Sequence, residues 1–147
     1  VTNDEIRVAV AASPALMAVA AARADGWTQA IADALSAGRT RLVPTEVGNG
    51  TVLEVLGFDV GNALLDLLAA QPAYRHVRPL LDQGRLRLDS AIVLGAMQQL
   101  VGQQIAEGVT FTQAHHDALR ARASAPAAVP EWDVRCALLA DDGSLRI

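Results

Sequence analysis

The chain has 147 residues, with 12 basic against 16 acidic side chains, a net charge of -4 and one cysteine. All the basic residues are arginine, so the lysine of a Schiff-base enzyme or of a standard phosphate loop is missing. The acidic balance argues against nucleic acid as a partner, and the lone Cys136 excludes an internal disulfide framework. Hydrophobic residues make up 52% with aromatics at only 3%, and about a fifth of the chain is alanine, which favours helices because it loses no side-chain entropy in one. A chain of this length can bury roughly 68–70% of its unfolded surface without metal or disulfides.

Thr2-Asn3-Asp4-Glu5 has the form of a capping box and predicts a helix over 3–12 with Ile6 and Val10 on one face. Ser13-Pro14 restarts the chain as cap and first helical residue, and Asp25-Gly26 ends that helix. The apolar run through these two helices has the composition of a leader, but Asp4 and Glu5 precede it and Ser13-Pro14 interrupts it, so a signal peptide or membrane span is not expected. A third helix over 27–37 aligns Trp27, Ile31 and Leu35 before Gly38. "RTRLVPTEV", 39–47, is the best strand candidate, with Pro44 confining it to an edge or an extended linker.

Thr51 is expected to cap a short helix closed by Gly57, and Asp59 the next, to residue 70. Pro72 opens a helix to Leu81, and "RLRLD", 85–89, alternates strictly and can pair with 39–47 as a small ribbon. A long helix over 91–106 and a Thr112-capped helix to residue 123 follow, then the linker "SAPAAVP" and a last helix over 131–140. The expected fold is mainly α, a compact bundle of short helices with at most a minor two-stranded β-ribbon. It is organised as a helical domain at 1–123, a linker at 124–130 and a C-terminal helix or arm at 131–147.

Chemistry-bearing clusters are few. Gly48-Asn49-Gly50-Thr51 can hold an anion at a helix start, but it lacks the lysine and glycine spacing of a nucleotide loop, and reads as a turn and cap. His115 and His116 point about 100° apart on a helix and read as an exposed polar face instead of a metal pair. Cys136, in "VRCALLA", reads as core, and the aspartates fall mostly at caps and helix ends. No catalytic, cofactor-binding or metal residue is assigned.

Arginine pairs remain. If the two extended segments pair, Arg39, Arg41, Arg85 and Arg87 can form one basic stripe for a carboxylate-rich partner; the plainer reading is a charged edge that resists sheet aggregation. Trp132, Val134 and Leu138 can anchor a C-terminal arm on a partner. These seven are the candidate partner-binding residues.

"SPALMAVAAARADGWTQAIADALSAGRTRLVPTEVGNGTVLEVLG" resembles small Ala-rich helical proteins encoded in the tail-gene region of tailed bacteriophages and prophages. The likeness runs through "-PAL-", "-AIADALS-", "-TVL-LG-", the turn at Gln83 to Asp89 and the capped helix after Phe111, spanning about 8–124. It implies a non-enzymatic virion or assembly component of the tail or baseplate region. Such a protein would be an oligomer in the virion or host cytoplasm, bound to other phage structural proteins, with no nucleic acid and no membrane. The alternative is a small accessory protein that binds and regulates or inhibits a host protein, its acidic balance suiting a basic target.

Overall fold

The computed structural model describes residues 1–147. Its helices are α1 (Asn3–Ala11), α2 (Pro14–Ala22), α3 (Trp27–Ser36), α4 (Asn49–Ala70), α5 (Val77–Asp82), α6 (Ala91–Leu100), α7 (Gln113–Arg122) and α8 (Glu131–Leu138). Six short strands accompany them: β1 (Thr40–Leu42), β2 (Glu46–Val47), β3 (Leu86–Arg87), β4 (Gln104–Ala106), β5 (Val109–Thr110) and β6 (Ser124–Pro126). The strands pair as three separate two-stranded sheets, β1 with β6, β2 with β3 and β4 with β5. The fold is mainly α, as its composition and periodicity indicate. No single helix is long and apolar enough to cross a membrane.

The division of the chain differs from the one expected. One unit comprises Val1–Arg41 and Pro126–Ile147, and the other is the intervening Leu42–Ala125. "SAPAAVP" is therefore no free linker, since its first three residues are β6. On the first unit's side the Ala127 N–H donates to the Arg39 carbonyl at 3.0 Å, and on the second unit's side the Val43 N–H donates to that of Ala123 at 2.8 Å.

In the discontinuous unit the Thr2 capping box forms as its sequence requires, with both reciprocal hydrogen bonds between Thr2 and Glu5. The Ser13 hydroxyl accepts from the Leu16 N–H, and Pro14 occupies the first turn of α2. α2 stops at Ala22, three residues before the expected Asp25-Gly26, because Arg23 adopts the left-handed conformation that ends a helix. Ile6 and Val10 of α1 meet Ile31 and Ala32 of α3 and Val134, Ala137 and Leu138 of α8 in one core. Three polar ties fix the returning segment. The buried Thr28 hydroxyl donates to the Glu131 carboxylate, the Val129 N–H donates to Ser36 Oγ at 2.8 Å, and Arg7 Nε donates to the Ala137 carbonyl at 2.8 Å. Burying Thr28 is tolerated because its hydroxyl has that charged acceptor.

The inserted unit is built on α4, which is broken where the sequence says it should be. Gly57, at φ 80° and ψ 169°, interrupts the helical backbone in a region only glycine occupies readily. The two halves then approach so closely that a Cβ on Gly61 would lie 3.1 Å from Leu53 Cα. Gly57→Ala is expected to lower the stability of this unit by about 1–3 kcal/mol, the cost of forcing that conformation on an L side chain. Urea titration followed by circular dichroism checks it, and an unchanged midpoint would count against the break.

Two further expectations on this unit are corrected. The helix from Pro72 is a 3-10 turn over Pro72–Tyr74 followed by the separate α5. The long helix over 91–106 ends at Leu100. Gly102 turns the chain at φ 83°, and β4 and β5 form a hairpin around Gly108 at φ 70°. Phe111, fully buried, closes that hairpin: its N–H donates to the Gln103 carbonyl and its carbonyl accepts from the Gly102 N–H. The core gathers Leu64, Leu65 and Leu68 of α4 with Leu81, Leu88, Phe111 and Leu119.

Candidate functional site

Gly48-Asn49-Gly50 starts a helix, as the turn-and-cap reading requires, but the cap is Gly48 instead of Thr51. Gly48 has an extended backbone, so its need for glycine is spatial: a Cβ there would meet Gly84 Cα at 3.1 Å and the Leu81 carbonyl at 3.2 Å. The Asn49 side chain at the helix start is engaged by a carboxylate. Asn49 Nδ2 donates to Asp82 Oδ1 at 2.7 Å, and Arg78 Nε donates to the same oxygen at 3.0 Å. These two donors hold the Asp82 carboxyl below its usual range.

The structure divides the four arginines. β2 pairs antiparallel with β3, placing Glu46 opposite Arg87 and Val47 opposite Leu86, so the expected ribbon exists between 46–47 and 86–87. Arg39 and Arg41 do not join it: they belong to the discontinuous unit, and Arg41 lies in β1, whose partner is β6. Pro44 interrupts the extended segment between β1 and β2. Arg87 is already engaged, donating from Nε and Nη2 to both oxygens of Asp89 at 2.8 and 2.7 Å. A single four-arginine stripe on one ribbon is not what this register builds. Arg85 and Arg87 are exposed while Leu86 and Leu88 are buried, as the alternation requires.

Arg87, and after it the Thr45 N–H at 3.1 Å, hold the Asp89 carboxyl well below the usual carboxylate range. A folded value beneath the unfolded one gives a contribution that is complete above about pH 5 and lost as pH falls below about pH 4 toward the folded value. Asp89→Asn is therefore expected to be less stable at neutral pH and to show a flatter decline in acid. Urea midpoints measured from pH 7 to pH 2 check this, and parallel curves for the two proteins would contradict it.

Two of the three histidines lie side by side in α7. His115 Nδ1 accepts from the Thr112 N–H at 3.1 Å and completes a capping box with histidine where Glu or Gln usually stands. Its neutral form therefore carries the proton on Nε2. His116 is buried, contrary to the exposed polar face expected for it, with Nδ1 3.2 Å from Asp117 Oδ1.

The three C-terminal candidates separate sharply. Val134 and Leu138 are fully buried within their own unit, which removes them as anchors of a free arm, whereas Trp132 is 70% exposed on the same helix. Side chains at 134 and 138 are one helical turn apart and share the inward face, and 132 lies far around the helix from 134. Beneath Trp132 runs an open cleft of about 480 Å³ lined by Arg135, Cys136, Leu139, Asp141 and Arg146. Cys136, expected in the core, is half-buried in this cleft wall. Glu131 accepts from Arg135 across one helical turn at 2.9–3.0 Å and holds that guanidinium along the helix. The exposed tryptophan was legible in the sequence; the arginines beside it were not singled out, because Arg146 reaches the cleft only through the turn after α8, where Leu139 and Leu145 bridge.

Compared with known proteins, this chain matches no family model, no curated protein sequence and no solved structure.

Proposed function

We propose that this protein is a non-enzymatic structural or assembly component of the tail or baseplate region of a tailed bacteriophage, acting through protein–protein contacts. The tail-gene resemblance supplies the setting, and the cleft under Trp132 is the observation that supports a contact role. Tryptophan and arginine are the residue types that most often dominate binding energy when a partner covers them. Here one exposed Trp stands on a helix fixed from behind by Val134 and Leu138, so little conformational freedom is lost when a partner docks.

The test is quantitative mass spectrometry of purified particles from an infected or induced host. A fixed copy number per particle is expected. Absence from particles, with a host protein recovered in fixed ratio instead, would replace this reading with that of an accessory regulator. Trp132→Ala is expected to weaken binding to the recovered partner by about thirtyfold or more, a hot-spot loss of roughly 2 kcal/mol. Because the side chain is mostly exposed, the thermal midpoint should barely move, and calorimetry on the variant checks that.

A further inference from the structure

The inserted unit contains a cavity of about 220 Å³ that is independent of the Trp132 cleft. Its floor includes Leu64, Leu81 and Leu100, all buried, and its mouth includes Tyr74, Met97 and Ile92, the last 84% exposed. Every lining side chain is hydrocarbon or thioether except the Tyr74 phenol.

α6 explains why the space is open. Its sequence, AIVLGAMQQL, is apolar over most of its length, yet only Leu100 is buried. Ile92, Val93, Ala96 and Met97 face the cavity at the spacing of one helical stripe. A stripe of that kind ordinarily packs against its neighbours to a density that leaves few voids larger than a water molecule. Water is poorly suited to the space, since it needs two to four polar partners and the side chains supply one hydroxyl. An apolar cavity of roughly 150 Å³ takes benzene, so one of this size and lining suits a ring or short alkyl chain somewhat larger than benzene.

From this we infer that the cavity between the Tyr74–Val77 segment and α6 is a binding site for a small uncharged hydrocarbon group, aromatic or alkyl. Met97, unbranched and adaptable, shapes the wall to the ligand. A carboxylate in the same place would lose its hydration without a countercharge, so charged analogues are rejected.

The experiment is a titration of the full chain with toluene, and with benzoate as the charged counterpart, followed by methyl NMR and thermal unfolding. Toluene should shift the methyl signals of Leu64, Val93 and Met97 saturably and leave those of Ile6 and Ile31 in place. At tenfold excess over Kd it should reduce the unfolding constant of this unit about elevenfold, and benzoate should do neither. Ala96→Phe, which fills the cavity, should abolish the toluene response, and Ala73→Leu should weaken it if the first variant folds poorly. No saturable shift up to the solubility of toluene, an equal response to benzoate, or an undiminished response in both folded variants would overturn the site. A concentration-dependent dimer by light scattering that buries Ile92 and excludes toluene would also overturn it, since a second copy would then be the occupant.

Discussion

Ending the chain after Ala125 is expected to unfold residues 1–41 while leaving residues 42–125 folded. The truncation removes Val129, Val134, Ala137 and Leu138, all within 3% of complete burial, from the core they share with Ile6, Val10 and Ile31. It also takes away the Glu131 acceptor of buried Thr28 and the Ala137 carbonyl that Arg7 reaches. Truncating a single buried leucine costs about 2–5 kcal/mol, and whole domains are stable by only about 5–15 kcal/mol, so losing four such residues exceeds what three short helices retain. Helices of nine or ten residues do not persist alone in water. Backbone NMR would show collapsed dispersion for Ile6, Val10 and Ile31, with signals of Leu88, Phe111 and Leu119 retained. Preserved dispersion at Ile31 would contradict the assignment of α8 to this core and revive the arm.

Phe111→Ala carries the second large effect, in the inserted unit. The ring is fully buried, with the His115 imidazole tilted beside it at 5.8 Å between centroids. Its removal leaves a void among α4, α7 and the β4–β5 hairpin residues that share this core. Phe-to-Ala changes at such sites cost about 3–5 kcal/mol, and at about 4–8 °C per kcal/mol for a domain of this size the midpoint of this unit should fall by well over 10 °C. Phe111→Leu should recover much of that, because most of the buried area returns. Differential scanning calorimetry measures both, and a fall of under about 5 °C for the alanine variant would show that the site collapses around the missing ring.

Local signals carried the start and stop positions of helices. Thr2 with Glu5, Ser13 with Pro14, and Thr112 each cap where their side chains permit, because a cap is decided within four residues. Gly57 likewise marks its own break. What sequence reading missed depends on distant partners. Nothing in 124–130 announces that residues 124–126 pair with 40–42, so a strand reads as a linker. Val134 and Leu138 look identical whether they face their own unit or a partner, and only the packing of α1 and α3 against α8 decides it. The hairpin at 104–110 did have a local signal, Glu107-Gly108 between two short apolar segments, which the apolar run before it masked. Gly48 and Gly61 are needed for close approach, a property of the neighbour each one meets and invisible in its flanking residues. The arginine stripe failed for the same reason: alternation placed Arg85 and Arg87 on the outer face, but Pro44 sent Arg39 and Arg41 to another pairing.

Work by contact surfaces instead of reacting atoms is tested most directly by light scattering after gel filtration, with mass spectrometry of whatever co-elutes with the chain from its natural host. A species of fixed stoichiometry well above the 15.4 kDa of one chain is expected, and Trp132→Ser should return it to that mass with its fold intact. A lone 15.4 kDa species for both proteins, with no co-eluting partner, would contradict it.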